Sequence, residues 1–172
     1  EVEKRAVRES ATHAGAREVY LIEEPMAAAI GVGLPVQDPA GNMIIDIGGG
    51  TTDYILYADG AVKQTGVLGV GGDHITNDIS MGLRIPMTRA EKLKVEEGGV
   101  TLGNSRPGET VVLKDDSGFA GKEIERETLN TIIHLRLRET FELLKRKLEE
   151  EPFINYIGEG IFITGGCSHL KG

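Results

Sequence analysis

Asp46-Ile47-Gly48-Gly49-Gly50-Thr51-Thr52-Asp53 is the stretch on which the reading of this chain turns. It lies between two apolar runs of strand length, Met43 to Ile47 and Thr52 to Tyr57, both rich in β-branched and aromatic residues. A third run, Ala61 to Leu68, follows Asp59-Gly60, a pair that tolerates the positive φ angles of a primed hairpin turn. The three runs predict an antiparallel meander. Its first turn carries more than a hairpin needs. Glycines allow a sharp turn and a close approach of the backbone to a phosphate, while threonine hydroxyls and unpaired N–H groups supply donors. Asp46, leaving a buried strand at the turn, could organise a hydrated magnesium ion. A plain solvent-exposed turn accounts for the same residues, and spacing alone leaves both readings open. No Lys-Ser/Thr pair follows the glycines and no helix follows directly, so this is not a Walker A loop.

Downstream, Gly71-Gly72-Asp73 precedes Ile75, Ile79 and Leu83 at helical spacing. The turn could bring a second backbone segment to the phosphates, or Asp73 could simply cap its helix. A short helix is expected from Thr88 to about Glu96, with Thr88 as cap and Glu91 as its capping-box partner. Glu91 and Lys94 share one face, where the carboxylate could accept from ribose hydroxyls and the ammonium donate. An ordinary surface ion pair, worth roughly a few tenths of a kcal/mol, is the alternative. Residues 98–122 are rich in glycine and polar residues around a strand candidate, Thr110 to Leu113. A small subdomain over 82–122 is therefore expected, inserted into a core formed by 1–81 and 123–172. Leu129, Ile132, Ile133, Leu137, Phe141, Leu144 and Leu148 predict a long amphipathic helix packed on a sheet. After Pro152, Ile161 to Thr164 reads as a short strand ending at Gly165-Gly166. Those glycines could present a flat surface to adenine or ribose, or form a strand-to-helix turn and nothing more.

Upstream, Val2, Ala6, Val7, Ala11 and Ala14 keep a helical period that Gly15 ends. A helix already under way at residue 1 reads as a chain that begins inside a larger protein. Val19 to Ile22 reads as a buried strand, and Gly33 to Gly41 as a loop. Pro25 suits the first turn of a helix carrying Met26 to Ile30. Glu23 or Glu24, at that strand-to-helix junction, could align a water for attack on a phosphate. Glutamates in surface turns are far commoner, and the residues alone do not separate the two.

At 172 residues the chain has room for one sizeable core and a small subdomain. Its 40% hydrophobic and 27% charged residues describe a globular chain, not a disordered one. The 19 basic and 27 acidic residues leave a net charge of −8, a field that repels nucleic acid and anionic membranes. A bound phosphate would need local main-chain donors or a metal. With one cysteine, Cys167, no internal disulfide can form, which fits a reducing compartment. The four histidines are dispersed, so no zinc cluster is expected. No apolar run is long enough to cross a bilayer.

These motifs resemble those of the bacterial actin-like proteins, in particular the MreB and FtsA families. Arg5 to Ala11 and Gly15 to Gly31, including Glu23-Glu24-Pro25-Met26-Ala27-Ala28-Ala29, look like MreB. Asp46 to Asp53 is similar to the phosphate-binding hairpin of the wider actin, Hsp70 and sugar-kinase superfamily. Gly71 to Ile79 and Ala90 to Lys94 look more like FtsA, and Gly160 to Gly172 resembles the adenosine motif of both. The resemblance implies an α/β fold, an actin-like ATPase domain with a ribonuclease H-like core and a small inserted subdomain. Strands near 19–22 and 161–164 would flank the meander in parallel fashion.

The resemblance also implies roles. Glu24 matches the water-positioning glutamate and Asp46 the metal-associated aspartate. Gly48, Gly49, Gly50, Thr51 and Thr52 match the phosphate hairpin, and Gly71, Gly72 and Asp73 the neighbouring phosphate and sugar turn. Glu91 and Lys94 match nucleoside-facing positions, and Gly165 and Gly166 the adenosine turn. Cys167 replaces a third glycine common there, which implies a narrower adenine side or an altered affinity. The implied cofactors are ATP/ADP and Mg2+. The implied partners are further copies in a filament and bacterial morphogenesis or division proteins, in the cytoplasm or at the inner face of the cell membrane. Membrane contact would come through segments or partners outside this sequence, and no nucleic acid is expected. A nucleotide-regulated filament scaffold or membrane-tethering adaptor with negligible hydrolysis is the alternative. The family's first phosphate hairpin and connecting helices have no match here, so this stretch alone is expected to be inactive.

Overall fold

Residues 43–47 and 54–58 are apolar at nearly every position, not at alternate ones, because both faces of their sheet are covered. The computed structural model describes residues 2–34, 36, 41–103, 105–114, 120–150 and 157–172. Its elements run α1 (Val2–His13), α2 (Glu24–Gly31), β1 (Gly41–Ile47), β2 (Thr52–Ala58), β3 (Ala61–Leu68), α3 (Gly72–Leu83), α4 (Met87–Glu97), β4 (Thr110–Leu113), β5 (Lys122–Glu125), α5 (Arg126–Glu149) and β6 (Ile157–Thr164). A 3-10 turn, Gly166–His169, follows β6. The main sheet has the order β3-β2-β1-β6, with the meander antiparallel and β6 parallel to β1.

Strand period assigns the faces. Met43, Ile45 and Ile47 of β1 pack with Tyr54 and Leu56 of β2 under Leu144 and Leu148 of α5. The intervening Ile44, with Ile55 and Tyr57, packs against Ala29 of α2 on the opposite face. Burying each such large side chain stabilises the fold by roughly 1.5–3 kcal/mol, so this three-layer arrangement holds the first turn rigidly at the sheet's end. Thr52 is a buried polar exception: its Oγ1 donates to the Val70 carbonyl at 2.7 Å and ties the segment entering α3 to the strand.

A second core lies beside the sheet, where Ile75, Ile79, Leu93, Val111, Ile124, Leu129 and Ile133 join α3, α4, the β4–β5 hairpin and the start of α5. The long helix therefore serves two cores. Its C-terminal half packs on the sheet as its period predicts, while its N-terminal half packs on α3. Between them Arg136 grips Asp78 of α3 in a bidentate pair, Nε to Oδ2 at 2.5 Å and Nη2 to Oδ1 at 3.0 Å.

Asp59 (φ 53°) and Gly60 (φ 69°) form the primed turn that their identities predict. Three expectations need correction. Val19 to Ile22 is not a strand: Tyr20 is 83% exposed and Ile22 56% exposed. A strand exists only through its neighbour, and among the described residues none runs beside this segment. Thr88 does not cap α4, which starts one residue earlier behind Pro86, and the Glu91 side chain turns elsewhere. Nor does Asp73 cap α3. Gly71 is the cap residue, and its N–H donates to His74 Nδ1 at 3.2 Å. The loop expected from 33 to 41 lies partly outside the described residues, as do positions 104 and 115–119 of the 98–122 stretch and the break at Pro152.

Candidate functional site

The first turn and the start of α3 are bound to one another through their backbones. Gly72 N donates to Gly48 O at 2.8 Å and Asp73 N to Gly49 O at 2.7 Å. These α3 amides are therefore already engaged, whereas the amides of Gly49 and Gly50 have no partner among the described residues. The available main-chain donors sit on the hairpin. Gly71 makes the docking possible, since a Cβ there would lie 2.6 Å from Gly49 O and 2.8 Å from both Gly48 O and Thr51 N. The glycine-rich 165–166 turn also reaches the first. Gly165 has φ 87°, and a Cβ on it would fall 2.5 Å from Asp46 Oδ1 and from Ile47 O.

A buried network fastens α4 to the same place. Lys94, 7% exposed, places Nζ 3.0 Å from Gly72 O, 2.8 Å from Thr76 Oγ1 and 2.6 Å from Glu91 Oε2. Thr76 Oγ1 also contacts Glu91 Oε2 and lies 3.1 Å from Gly72 O. An ammonium has three donors, and these three contacts use them. Lys94, expected to face a nucleoside, does line the cleft described below, with its ammonium engaged by these three groups of the chain. Burial pushes the Glu91 carboxyl up, but hydrogen bonds from Lys94 and Thr76 and the Lys94 charge outweigh it and hold it below the ordinary range.

These segments enclose a cleft of about 160 Å³ lined by Gly48, Gly49, Gly72, Asp73, Glu91, Lys94, Val95, Gly166, Cys167, His169 and Leu170. Of the other residues singled out in the sequence, Gly50 and Thr51 lie at the exposed tip of the turn, while Thr52 is buried below it. Gly71 and Gly165 shape the backbone behind the cleft. Asp46 and Glu24 stand outside its lining. A larger and mainly apolar hollow of about 460 Å³ opens beyond Cys167, between α5 and β6. It includes none of the phosphate-type turns.

Burial raises the Asp46 carboxyl above its ordinary range, and the charges of Glu24 and Asp53 raise it further. A divalent cation would relieve this crowding of negative charge. Among the described residues no three acidic, histidine or cysteine side chains converge as a metal cage. Magnesium, which keeps several waters and commonly takes one or two carboxylates plus phosphate oxygens, suits such a sparse donor set. The structure also separates the two glutamates. Glu23 pairs with Lys4 at 2.6 Å, and Glu24 opens α2 with its charge felt at Asp46. Burial raises the Cys167 thiol, with Glu91 and Asp73 adding to it against Lys94, which favours its protonated form. The sequence reading missed Thr76. Its place four residues after Gly72, on one helical face, was the available signal.

The model of the MreB/Mbl protein family matches residues 1–172. The cell shape-determining protein MreB of Escherichia coli is 45% identical over 117 residues, 64% of this chain and 32% of that protein. The cell division protein FtsA of Pseudomonas aeruginosa is 33% identical over 152 residues, 88% of this chain and 36% of that protein. Among solved structures, MreB5 of Spiroplasma citri bound to AMPPNP superimposes with a TM-score of 0.83 at 28% identity, covering 99% of this chain and 55% of that one. A MamK double helical filament subunit shares the fold with a TM-score of 0.73 at 17% identity, over 98% of this chain and 53% of that one. The fold is thus the α/β fold of the actin-like ATPases. The chain spans about a third of the length of the curated relatives it matches.

Proposed function

Because the chain belongs to the MreB/Mbl protein family, within the actin-like ATPase superfamily, we propose that it is the nucleotide-binding portion of a bacterial cytoskeletal protein acting in cell shape or cell division. The observation that carries this reading is the single cleft in which the 48–49 turn, the start of α3, Glu91 and Gly166 meet. ATP or ADP would lie with its phosphates against the amides of Gly49 and Gly50, Thr51 beside them, and its nucleoside between Glu91 and the Gly165-Gly166-Cys167 turn. MreB5, a relative, is solved with ADP and with AMPPNP.

Asp46 would hold a hydrated magnesium ion, which when bound supplies positive charge to the phosphate oxygens. Glu24 would align the attacking water, and the hairpin amides would stabilise the charge that develops on the transferred phosphoryl group. The 82–122 stretch is proposed to act as a subdomain of the complete protein. Assembly of that protein into filaments, and contact with morphogenesis or division partners at the inner face of the membrane, belong to the same proposal. The fold shared with the MamK filament subunit supports the assembly reading.

Pockets that enclose a drug-sized ligand measure about 300–1,000 Å³, so a cleft of about 160 Å³ is one wall of a nucleotide site. Calorimetry with Mg-ATP on the 172-residue chain should accordingly show weak binding, and submicromolar affinity would contradict that reading. ATP turnover and light scattering on the full-length protein test the function itself. Turnover that falls on Glu24→Ala while assembly persists supports the ATPase. Turnover indifferent to that substitution, alongside nucleotide-dependent assembly, would favour a scaffold or tethering adaptor.

A further inference from the structure

We propose that Thr76 is a positioning residue of the nucleotide site, which together with Lys94 aims the Glu91 carboxylate into the cleft to select a ribonucleotide. The proposal rests on the nucleotide reading above and deepens it. Thr76 is 3% exposed and does not line the cleft, so its hydroxyl is not offered to a ligand. A buried hydroxyl, with one donor and two acceptor positions, is held by the partners it finds inside the chain. Lys94 Nζ donates to it at 2.8 Å. The hydroxyl hydrogen then has two acceptors within reach, Gly72 O and Glu91 Oε2. The carboxylate gives the stronger, charge-assisted bond.

The consequence lies in what remains free. Lys94 has no donor left. Glu91 Oε2 is held by Lys94 and Thr76, and Glu91 Oε1 has no partner among the described residues. The network therefore presents one acceptor to the cleft. A fixed acceptor pairs with a sugar hydroxyl and is left unpaired by an analogue that lacks it, which is how a site built around a hydrogen bond rejects the deoxy compound. The same network joins the two ends of the cleft, because Lys94 and Thr76 also meet Gly72 O, and Gly72 N is bound to the hairpin at Gly48 O. A shift of Glu91 would be felt at the phosphate turn.

The test is equilibrium binding of Mg-ATP, Mg-2′-deoxy-ATP and Mg-3′-deoxy-ATP to the full-length protein, with melting temperature followed alongside. The unmodified protein is expected to bind ATP about tenfold or more tightly than at least one deoxy analogue. Thr76→Val should weaken ATP by about tenfold and leave that analogue nearly unchanged, so that the preference collapses. Thr76→Ser, which keeps the hydroxyl, should restore it. Should Thr76→Val fail to fold, Thr76→Ala supplies the second measurement, because it also removes the hydroxyl that holds Glu91 and should abolish the same preference. Equal weakening of all three nucleotides by Thr76→Val, or no recovery in Thr76→Ser, would overturn the positioning role. Absence of binding to any of the three by the unmodified protein would instead overturn the nucleotide reading, and the proposal with it.

Discussion

The two turns of the meander, Gly48–Thr51 and Asp59-Gly60, reverse neighbouring strands for different reasons. In the second, Asp59 at φ 53° and Gly60 at φ 69° occupy the left-handed region, and the residue types follow from backbone conformation. In the first, none of Gly48, Gly49 and Gly50 has a positive φ. A Cβ on Gly50 would meet nothing within 4 Å, and one on Gly49 would come no closer than 3.4 Å to Asp73. The chain itself does not require glycine at position 50. What the absent side chains leave is a bare strip with two amides that have no partner among the described residues, bound from behind by α3. A turn can hold glycine for its conformation, for the approach of another segment, or for what lies against it, and this meander separates the first reason from the other two.

Substitutions can break that separation, and the largest effect is expected at the point of closest approach. Gly71→Ala would set a Cβ 2.6 Å from a carbonyl oxygen of the hairpin. About 3 kcal/mol of stability should be lost in denaturant titration, together with nucleotide binding. Wild-type stability in this variant would mean that the two segments do not dock as described. Gly50→Ala should do the opposite, with a melting temperature close to that of the unmodified chain and nucleotide affinity down by about tenfold, or roughly 1.4 kcal/mol. If affinity survives, the strip is a plain turn. Gly60→Ala, in the other hairpin, should cost about 1 kcal/mol of stability through its positive φ and leave nucleotide affinity alone.

Smaller effects are expected from charge. The folded chain binds a proton on Asp46 more tightly than the unfolded chain does, so ionisation of Asp46 opposes folding. That penalty is absent at low pH, where both states are protonated, and sets in as pH rises into the raised folded range. Asp46→Asn should therefore melt no lower than the unmodified chain at neutral pH, and slightly higher, while losing magnesium-dependent nucleotide binding. Glu91 has the reverse sign. Held below the ordinary carboxylate range, it favours folding above that range, and the contribution fades as pH falls through its lowered folded value. Thermal melts from neutral to acidic pH should show a shallower acid limb for Glu91→Gln.

Much of the fold was legible in the residues. Unbroken apolar runs marked the central strands, Asp59-Gly60 marked its turn, and the spacing from Leu129 to Leu148 marked α5. Each signal is local, set by a side chain's own preference and period. The errors share a cause. Val19 to Ile22 has the composition of a strand and no neighbour among the described residues to make it one. Asp73 and Thr88 are good capping residues displaced by Gly71 and Pro86, because docking on the hairpin and the turn into α4 fix where each helix begins. At the site, the sequence identified segments that the structure brings to one cleft but not which of their groups remain available.

By itself the sequence determined the three strands of the meander, the glycine-rich turns and the acidic residues beside them, because dihedral preference and hydrophobic period act within a few neighbouring residues. Only the tertiary structure decided that the Gly72 and Asp73 amides are engaged by the hairpin, that the three Lys94 donors are engaged inside the chain, and that Lys94 and Thr76 hold one oxygen of Glu91 at the cleft. A donor or acceptor can serve a ligand only if nothing nearer has taken it, and the nearer groups here lie up to 24 positions away along the chain, as Gly48 does from Gly72.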